Sequence, residues 1–222
     1  MSTLSTLSTD EVLTTTRSVK RRLDLTRRVD PALITECIIT AQQAPSASNL
    51  QLAHFVVVTD PGKRAALGDL WRRGGEAYKP MPFSIYQTPY DAEREAGRAK
   101  AITAFEHLME HIDQVPVHVV PCIAFRPPRD TADGGSTFFD ASIWASVLPM
   151  AWSFMLAARA RGLVSSLTTI HLQYEQEAAQ ILGIPYPDVM QAGLIPLAHP
   201  LGSGFRPAYR VPTETITHWD TW

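Results

Sequence analysis

The sequence has 222 residues, 45% hydrophobic and 19% charged, which is the composition of a globular protein with one sizeable core rather than of a disordered chain. Its 20 basic and 22 acidic residues leave a net charge of −2, so the overall charge gives no reason to expect nucleic acid or another polyanion as a partner. The two separated cysteines, Cys37 and Cys122, exclude a disulfide framework and a C-x-x-C metal site, and we expect both to be buried thiols.

Caps, prolines and apolar periodicity predict helices that alternate with short strands. Asp30–Pro31 and Asp60–Pro61 are both helix starts, because aspartate caps a first turn and proline is tolerated at its first position. Short runs of β-branched residues predict buried strands. The predicted elements in chain order are a short helix from Asp10 to about Thr16, capped by Thr9 or Asp10; a helix from Pro31 that Pro45 ends; a strand at His54–Thr59; a helix at Pro61–Tyr78; a helix at about 91–112; a strand at Val117–Phe125; a long apolar helix at 138–161; a partly extended segment at Leu163–Ile170; a helix at 174–183; and a strand at Val189–Ala198.

Prolines and one glycine refine the predicted second half. Pro121 inside a predicted strand indicates a bulge or an edge position. The uncharged segment Ala141–Ala158 approaches the length of a membrane span, but Pro149, its serines and its strand-like flanks favour a buried central helix. We expect Pro149 to kink this helix and Gly162 to close it.

Two segments lack periodicity. The proline-broken stretch 79–90 predicts an irregular loop or lid, and the tail 199–222 predicts an arm that wraps over a surface and could belong to a dimer. The N-terminus has neither the basic start nor the apolar stretch of a secretory signal, so a cytoplasmic protein is expected. The interleaved order predicts one α/β (α+β) domain over residues 1–222, and the lack of a G-x-G-x-x-G turn after any strand disfavours a Rossmann fold.

Two segments could carry chemistry, and each has a plainer alternative. The cluster Arg17–Arg21 offers cations and a hydroxyl that could hold a phosphate, but a basic run is also typical of a solvated surface. The loop A-P-S-A-S-N-L-Q at 44–51 contains ordinary turn residues. Its Asn49 and Gln51 amides could instead read the donors and acceptors of a flat heterocycle.

The other chemically notable residues indicate no catalytic site. The seven histidines lack metal-ligand spacing, and His107 and His111, the i, i+4 pair, are expected on an exposed helix face rather than at a metal. No G-x-S-x-G elbow is present. We interpret the five tryptophans as core or interface anchors rather than cofactor-stacking residues, although one of them could pack on a bound cofactor: Trp71, Trp144, Trp152, Trp219 and Trp222.

Several segments, taken together and in order, resemble the FMN-dependent nitroreductase family. The matching segments are T-R-S-V-K-R-R near the start, A-P-S-A-S-N-L-Q-L-A-H-F-V-V-V about thirty residues on, A-A-R-A-R-G-L-V-S-S-L-T-T at the end of the long helix, then E-A-A-Q-I-L-G-I-P, L-I-P-L-A-H-P-L-G and R-V-P. The resemblance extends from about residue 10 to the end. It implies a nitroreductase-like mixed sheet flanked by helices, in an intertwined homodimer with FMN at each of two interfaces.

The resemblance also implies roles for individual residues. Arg17, Ser18 and Lys20 would hold the phosphate and ribityl end of FMN, with Arg210 adding a second cation from the arm. The loop residues would approach the isoalloxazine from the partner subunit, and the segment after the long helix would lie along the ring. These residues are Pro45, Ser46, Ala47, Asn49 and Gln51 in the loop, and Ser166, Leu167 and Thr168 along the ring. No side chain is nominated as an acid or base.

The implied reaction takes a hydride from NADH or NADPH and passes two electrons to a nitro group, quinone or related small organic acceptor, without a nucleic-acid or membrane partner. Enone reduction, dehalogenation and flavin breakdown are alternatives on the same fold, as is a flavin-binding protein without turnover. Some positions depart from the family pattern, one at the phosphate end, Thr16, and others near the acceptor side, so the acceptor stays open. The departures are Thr16 for a basic residue, Leu52 and Ala53 for Pro-Trp, Ser153 for Asn and Val164 for Gly.

Overall fold

A computed structural model describes residues 7–127 and 135–222 of the chain. The first six residues, part of the N-terminal stretch that lacks a secretory pattern, lie outside the described residues. The helices are α1 (Thr9–Thr15), α2 (Pro31–Ala41), α3 (Pro61–Tyr78), α4 (Ala92–His111), α5 (Gly135–Ala160) and α6 (Glu175–Leu182). The strands are β1 (Ala53–Val58), β2 (Val117–Ile123), β3 (Val164–Ser165), β4 (Met190–Gln191) and β5 (Ile195–Ala198).

These strands form one sheet in the order β1-β2-β5-β3, and β4 pairs with β2 beyond the end of β5. Each pair among these described strands is antiparallel, so α+β is the better of the two predicted class names. Side chains of β2 alternate between two helical layers, as an extended strand requires. Val120 and Cys122 pack in the cluster that contains α3 and α4, whereas Val117 and Val119 pack in the cluster that contains α2 and α5.

Pro121 lies inside the sheet, so the predicted edge position is wrong, but the predicted bulge is present opposite it, where the register of β2 shifts by one residue between β5 and β4. β2 pairs with β1 in unbroken register, with Phe55 opposite Pro121. On its other side, β2 pairs with β5 through residues 117–119 and with β4 through residues 122–123. The Pro121 carbonyl accepts from the Ala192 N–H at 2.8 Å on that second side. Because the N–H and C=O of a residue point the same way in an antiparallel strand, the missing N–H falls between β5 and β4.

The strand predicted at 189–198 is interrupted between β4 and β5. Gly193 lies in the interruption, where an added Cβ would come 2.8 Å from Leu167 Cδ1 and 3.1 Å from the Thr168 carbonyl oxygen. The opposing segment, predicted as partly extended, pairs through β3 and through one isolated bridge between Thr168 and Leu194. Because Gly193 has no side chain, residues 167–168 can approach the backbone closely where the strand is interrupted.

Helix starts follow local chemistry. Asp30 and Asp60 cap α2 and α3 through their side chains, and a proline follows each, as predicted. Whereas the sequence predicted Thr9 or Asp10, the N-cap of α1 is Ser8. Its hydroxyl accepts from the Glu11 N–H at 3.2 Å and the Glu11 carboxylate accepts from the Ser8 N–H at 2.8 Å, which is a reciprocal capping box.

The long helix α5 packs one face on the sheet and leaves another exposed. It runs through Pro149 and ends before Gly162, which adopts a φ of +76°. Its residues 137–160 are long and apolar enough to cross a membrane, but half of the most apolar window is buried in the protein, as in the core helix of a soluble protein. On the outer face Trp144, Leu148 and Trp152 are 36, 38 and 42% exposed. We call these three residues the apolar stripe. Within the single chain the predicted central helix is therefore buried on one side only.

Candidate functional site

The basic segment forms a small pocket. A cavity of about 190 Å³ is lined by residues 17–22 together with Ala104 and Phe205, and we call it the basic pocket. The structure thus brings Arg17, Ser18 and Lys20 together. Lys20 is partly buried and its Nζ lies 5.7 Å from the centre of the Phe105 ring, and this burial lowers the pKa of its amine. In the part of the chain described, no ion pair involves Arg17 or Lys20, so the pocket offers uncompensated positive charge.

Hydrogen bonds to backbone carbonyls hold the basic pocket between β3 and the start of the arm. The Val19 N–H donates to the Ser165 carbonyl at 2.9 Å. The Arg22 guanidinium donates to the carbonyls of Leu201 and Ser203 at 2.8 and 2.7 Å. These contacts join three parts of the chain that are distant in sequence, so the arm is anchored where the cations are.

Residues 45–51, which we call the serine loop, adopt a strained backbone. Ser48, Asn49 and Gln51 have φ values of +50°, +53° and +53°, in the left-handed region that costs a non-glycine residue roughly 1 kcal/mol or more. Internal hydrogen bonds hold this shape: the Gln51 N–H donates to Ser46 Oγ at 3.1 Å, and Gln51 Nε2 donates to Asn49 Oδ1 at 3.2 Å. Strain of this kind is concentrated at binding sites.

The serine loop is tied to α5 beside an apolar cavity. The Ala47 N–H donates to Ser146 Oγ at 3.0 Å. The adjacent cavity has a volume of about 250 Å³, and its described lining carries no charged side chain. The lining residues are Ser46, Ala47, Ser48, Leu50, Leu52, Ile123, Phe125, Phe138, Phe139, Ser142, Ile143 and Ser146. Leu52, one of the departures from the family pattern, is therefore part of this wall.

The segment 166–168 follows β3 and is almost wholly inside the protein. Ser166 is fully buried, and its Oγ has no hydrogen-bond partner among the described residues. Thr168 exchanges backbone hydrogen bonds with Leu194 at 3.0 and 2.7 Å. Its side-chain oxygen accepts from the Trp71 indole N–H at 3.1 Å. The sequence favoured a core or interface role for Trp71, and no pattern in it could have indicated this hydrogen-bond partner.

The two groups of predicted residues lie near different ends of α5. Arg17 shares a small cavity with Met155 and Arg159, near the end of α5, whereas the serine loop lies by Ser142 and Ser146. Thirteen helical residues separate Ser146 from Arg159, which is about 20 Å along the axis. Within one chain the structure therefore gathers each group, but it does not join the two groups into a single site.

Arg210 lies outside both groups in the single chain. It is exposed, and its described side-chain hydrogen bond runs from Nη1 to the Tyr209 carbonyl at 2.8 Å. The expected role of Arg210, as a second cation that joins Lys20 at the phosphate of FMN, thus stays a prediction.

The histidines of the i, i+4 pair lie against each other on α4 and are half-buried, not on the exposed helix face that the sequence predicted. The rings of His107 and His111 are 4.5 Å apart, but no group of three or more potential metal ligands occurs among the described residues.

The fold is similar to those of several solved flavoproteins. A BluB-like flavoprotein from Clostridium difficile 630 matches with a TM-score of 0.69 and 18% identity over 97% of this chain and 100% of that chain. The FMN- and NADPH-dependent nitroreductase NfnB from sphigopyxis sp. strain HMH matches with a TM-score of 0.63 and 21% identity over 97% and 100%. Iodotyrosine deiodinase bound to FMN and 3-iodo-L-tyrosine matches with a TM-score of 0.66 and 17% identity over 96% and 99%.

At these identities the structural similarity establishes the fold. A sequence search of the curated proteins finds no significant match. The model of the nitroreductase family matches residues 13–199, a range that includes the basic pocket's cations, the serine loop and Ser166–Thr168. The match confirms the resemblance read from the sequence: the chain belongs to the nitroreductase family.

Proposed function

We propose that the protein is a homodimeric FMN-dependent oxidoreductase of the cytoplasm. It would use NADH or NADPH to reduce a nitro group, a quinone or a related small organic acceptor. The observation that most supports this proposal is the basic pocket, whose cations lack a carboxylate partner in the described structure and are joined to the segment 166–168 through the Val19–Ser165 hydrogen bond. The similarity to NfnB, an FMN- and NADPH-dependent nitroreductase, supports it as well.

The basic pocket fits the phosphate end of FMN. Arg17 and Lys20 would supply charge-assisted hydrogen bonds and Ser18 a hydroxyl, which suit a phosphate better than a neutral ligand. Burial lowers the pKa of Lys20, so a nearby anion would also stabilise its charged form. Arg210 would complete the site from the arm.

The segment 166–168 and the serine loop fit the ring end. Ser166 Oγ is a buried polar atom without a described partner, and such atoms are uncommon unless a ligand or water satisfies them. Asn49 and Gln51 carry amides on a preformed loop. When bound, FMN supplies the hydride and electron transfer. These residues would bind and orient its ring and exclude water, and none is assigned as an acid or base.

The apolar stripe supports a homodimer in which two copies share each site. Exposed tryptophan and leucine side chains along a helix are typical of an obligate interface. If two α5 helices pair antiparallel around a two-fold axis at Leu148, Ser142 of one copy lies level with Phe154 of the other. The serine loop of one copy would then approach the basic-pocket end of the second, because Ser146 would lie only nine helical residues, about 14 Å along the axis, from Arg159 of the second copy. The exposed arm at 199–222 would pack against the surface of the second copy.

One set of measurements tests this proposal. The purified protein should be yellow, or should bind FMN with a stoichiometry of one per chain, and should bind FAD less well because residues 7–127 and 135–222 show no second phosphate site. Anaerobic addition of NADH or NADPH should then bleach the flavin. Absence of FMN binding at any concentration would contradict the proposal.

The acceptor is identified by the reoxidation step. We expect nitroaromatics or quinones to restore the oxidised spectrum rapidly. Faster reoxidation by an enone or a halogenated phenol would assign another reaction of the fold, as would consumption of the flavin itself. Bleaching without reoxidation by any acceptor would indicate a flavin-binding protein without useful turnover.

A further inference from the structure

We propose that Trp71 is a positioning residue: its indole N–H holds the Thr168 side-chain oxygen as an acceptor, which directs the Thr168 hydroxyl hydrogen towards an acceptor atom of the bound flavin ring. This inference rests on the proposed function and assigns a hydrogen-bonding role to a residue for which the sequence favoured packing. It concerns orientation of a ligand-binding hydroxyl, not a step of the reaction.

Hydrogen-bond accounting at Thr168 is the first argument. A hydroxyl has one hydrogen to donate and two directions in which it accepts. The Trp71 indole N–H donates to Thr168 Oγ1 at 3.1 Å, and the Ile170 N–H approaches the same oxygen at 3.5 Å. Both accepting directions are therefore engaged. No described residue accepts the Thr168 hydrogen, so that hydrogen is available to a ligand.

The second argument is that neither side chain is free to turn away. Trp71 is fully buried and its ring lies 5.0 Å from that of Phe105. The backbone of Thr168 is fixed by its two hydrogen bonds to Leu194. Helix α3 approaches the same segment so closely that a Cβ at Gly74 would lie 2.5 Å from the Ile170 carbonyl oxygen. The hydroxyl is consequently oriented before any ligand arrives, which lowers the entropic cost of binding.

The third argument is that the same aromatic side chains support the phosphate end. Phe105 contacts Trp71 on one side, and Lys20 Nζ lies 5.7 Å from its ring centre on another. Trp71 therefore stands in a packed cluster that reaches both predicted ends of the cofactor. Packing alone could be supplied by phenylalanine, whereas the hydrogen bond to Thr168 requires the indole N–H.

A double-mutant cycle separates the hydrogen bond from the packing. The variants are Trp71→Phe, Thr168→Val and the double variant, and the readout is the dissociation constant for FMN, measured by quenching of flavin fluorescence. Each single variant should weaken FMN binding roughly 3- to 10-fold, as expected for one net hydrogen bond. The double variant should bind about as weakly as Thr168→Val alone, because Trp71 acts through Thr168.

Two further variants act as controls. Thr168→Ser retains the hydroxyl and should restore near-wild-type affinity. Thr169→Val changes an exposed neighbouring threonine, and its effect should be additive with that of Trp71→Phe. Melting temperatures of the flavin-free proteins report any loss of packing. If Trp71→Phe does not fold, replacement of Trp71 by β-(3-benzothienyl)alanine removes the N–H while keeping the shape of the ring.

The outcomes are distinguishable. Additive losses in the Trp71 and Thr168 cycle, or unchanged FMN affinity in Trp71→Phe, would overturn this inference and leave the proposed function standing. A wild-type protein that fails to bind FMN would overturn the proposed function and the inference together.

Discussion

Ser146 joins the middle of α5 to the serine loop. Its Oγ accepts from the Ala47 N–H at 3.0 Å and donates to the Ser142 carbonyl at 2.7 Å. Ser146→Ala removes the only described side-chain tether of Ala47, and we expect a loss of about 1 kcal/mol in the free energy of unfolding. Hydrogen exchange should show reduced protection at Ala47. Ser142→Ala, whose hydroxyl bonds only within α5 at Phe138 among the described residues, should leave that protection intact.

Substitution of Arg210 tests whether the arm at 199–222 contributes a cation to the FMN site. If Arg210 contacts the phosphate beside Lys20, Arg210→Ala removes a charge-assisted contact of about 1.5 to 3 kcal/mol and weakens FMN binding roughly ten- to a hundred-fold. The fold should survive, because the side chain is exposed. Arg206→Ala removes a cation from the same arm and is the matched control. Equal FMN affinity in Arg210→Ala and the wild type would remove this residue from the site.

The apolar stripe predicts that assembly and cofactor binding are linked. Trp152→Glu places a charge on the outer face of α5, so sedimentation at micromolar concentration should show a monomer with weakened FMN binding. Phe83→Glu changes a side chain that is more exposed, at 73%, and lies away from α5 in sequence, and it should leave the dimer intact.

The wild type allows the same linkage to be measured without mutation. Because FMN would bind only across the interface, the melting temperature of the wild-type protein should rise with both the FMN concentration and the protein concentration. A wild-type monomer that binds FMN tightly would refute the shared site.

Two buried histidines predict that the protein loses stability in acid. Burial lowers the pKa of His118 and of His171 to about 4. Each donates from Nε2, His118 to the Ile112 carbonyl and His171 to the Gln191 side chain, and neither Nδ1 has a described partner. A second proton would therefore lie buried without an acceptor. Protonation is easier in the unfolded chain, whose histidines have a pKa near 6.5, so stability is full above about pH 6.5 and falls as the pH drops towards 4.

The size of this effect can be measured by urea unfolding between pH 7.5 and 4.5. Each histidine should contribute on the order of 3 kcal/mol across the interval, since one unit of pKa corresponds to about 1.4 kcal/mol. His118→Gln or His171→Gln should flatten the decline, whereas His218→Gln, which changes an exposed histidine, should not. A decline that is equally steep in all three variants would place its origin in other groups.

Features of the fold that depend on neighbouring residues could be predicted from the sequence. Asp30 and Asp60 cap the helices that follow them because capping is decided within one turn. Gly162 ends α5 in the left-handed conformation that glycine favours. Pro121 indicated a bulge or an edge strand, and the sequence could not decide between them, because that depends on where β5 ends and β4 begins on the far side of β2.

The candidate site was predictable as segments but not as an arrangement. Residues 17–20 and 45–51 were recognisable from their chemistry and from the family pattern. The hydrogen bond between Trp71 and Thr168 spans 97 positions, and no local rule connects them. Helix α5 is apolar on nearly every side, so its composition alone could not reveal that Trp144 and Trp152 face outward.

The serine loop has a consequence for how this protein can be altered. Three of its residues hold a left-handed backbone that glycine would adopt without strain. Asn49→Gly should therefore remove a steric penalty in the native state, while giving the unfolded chain more freedom and removing the amide that braces Gln51. Substitutions chosen only for thermal stability would tend to relax the backbone of this loop. Selection for a more heat-resistant protein would therefore replace Ser48, Asn49 and Gln51, whereas selection for a better ligand site would keep them.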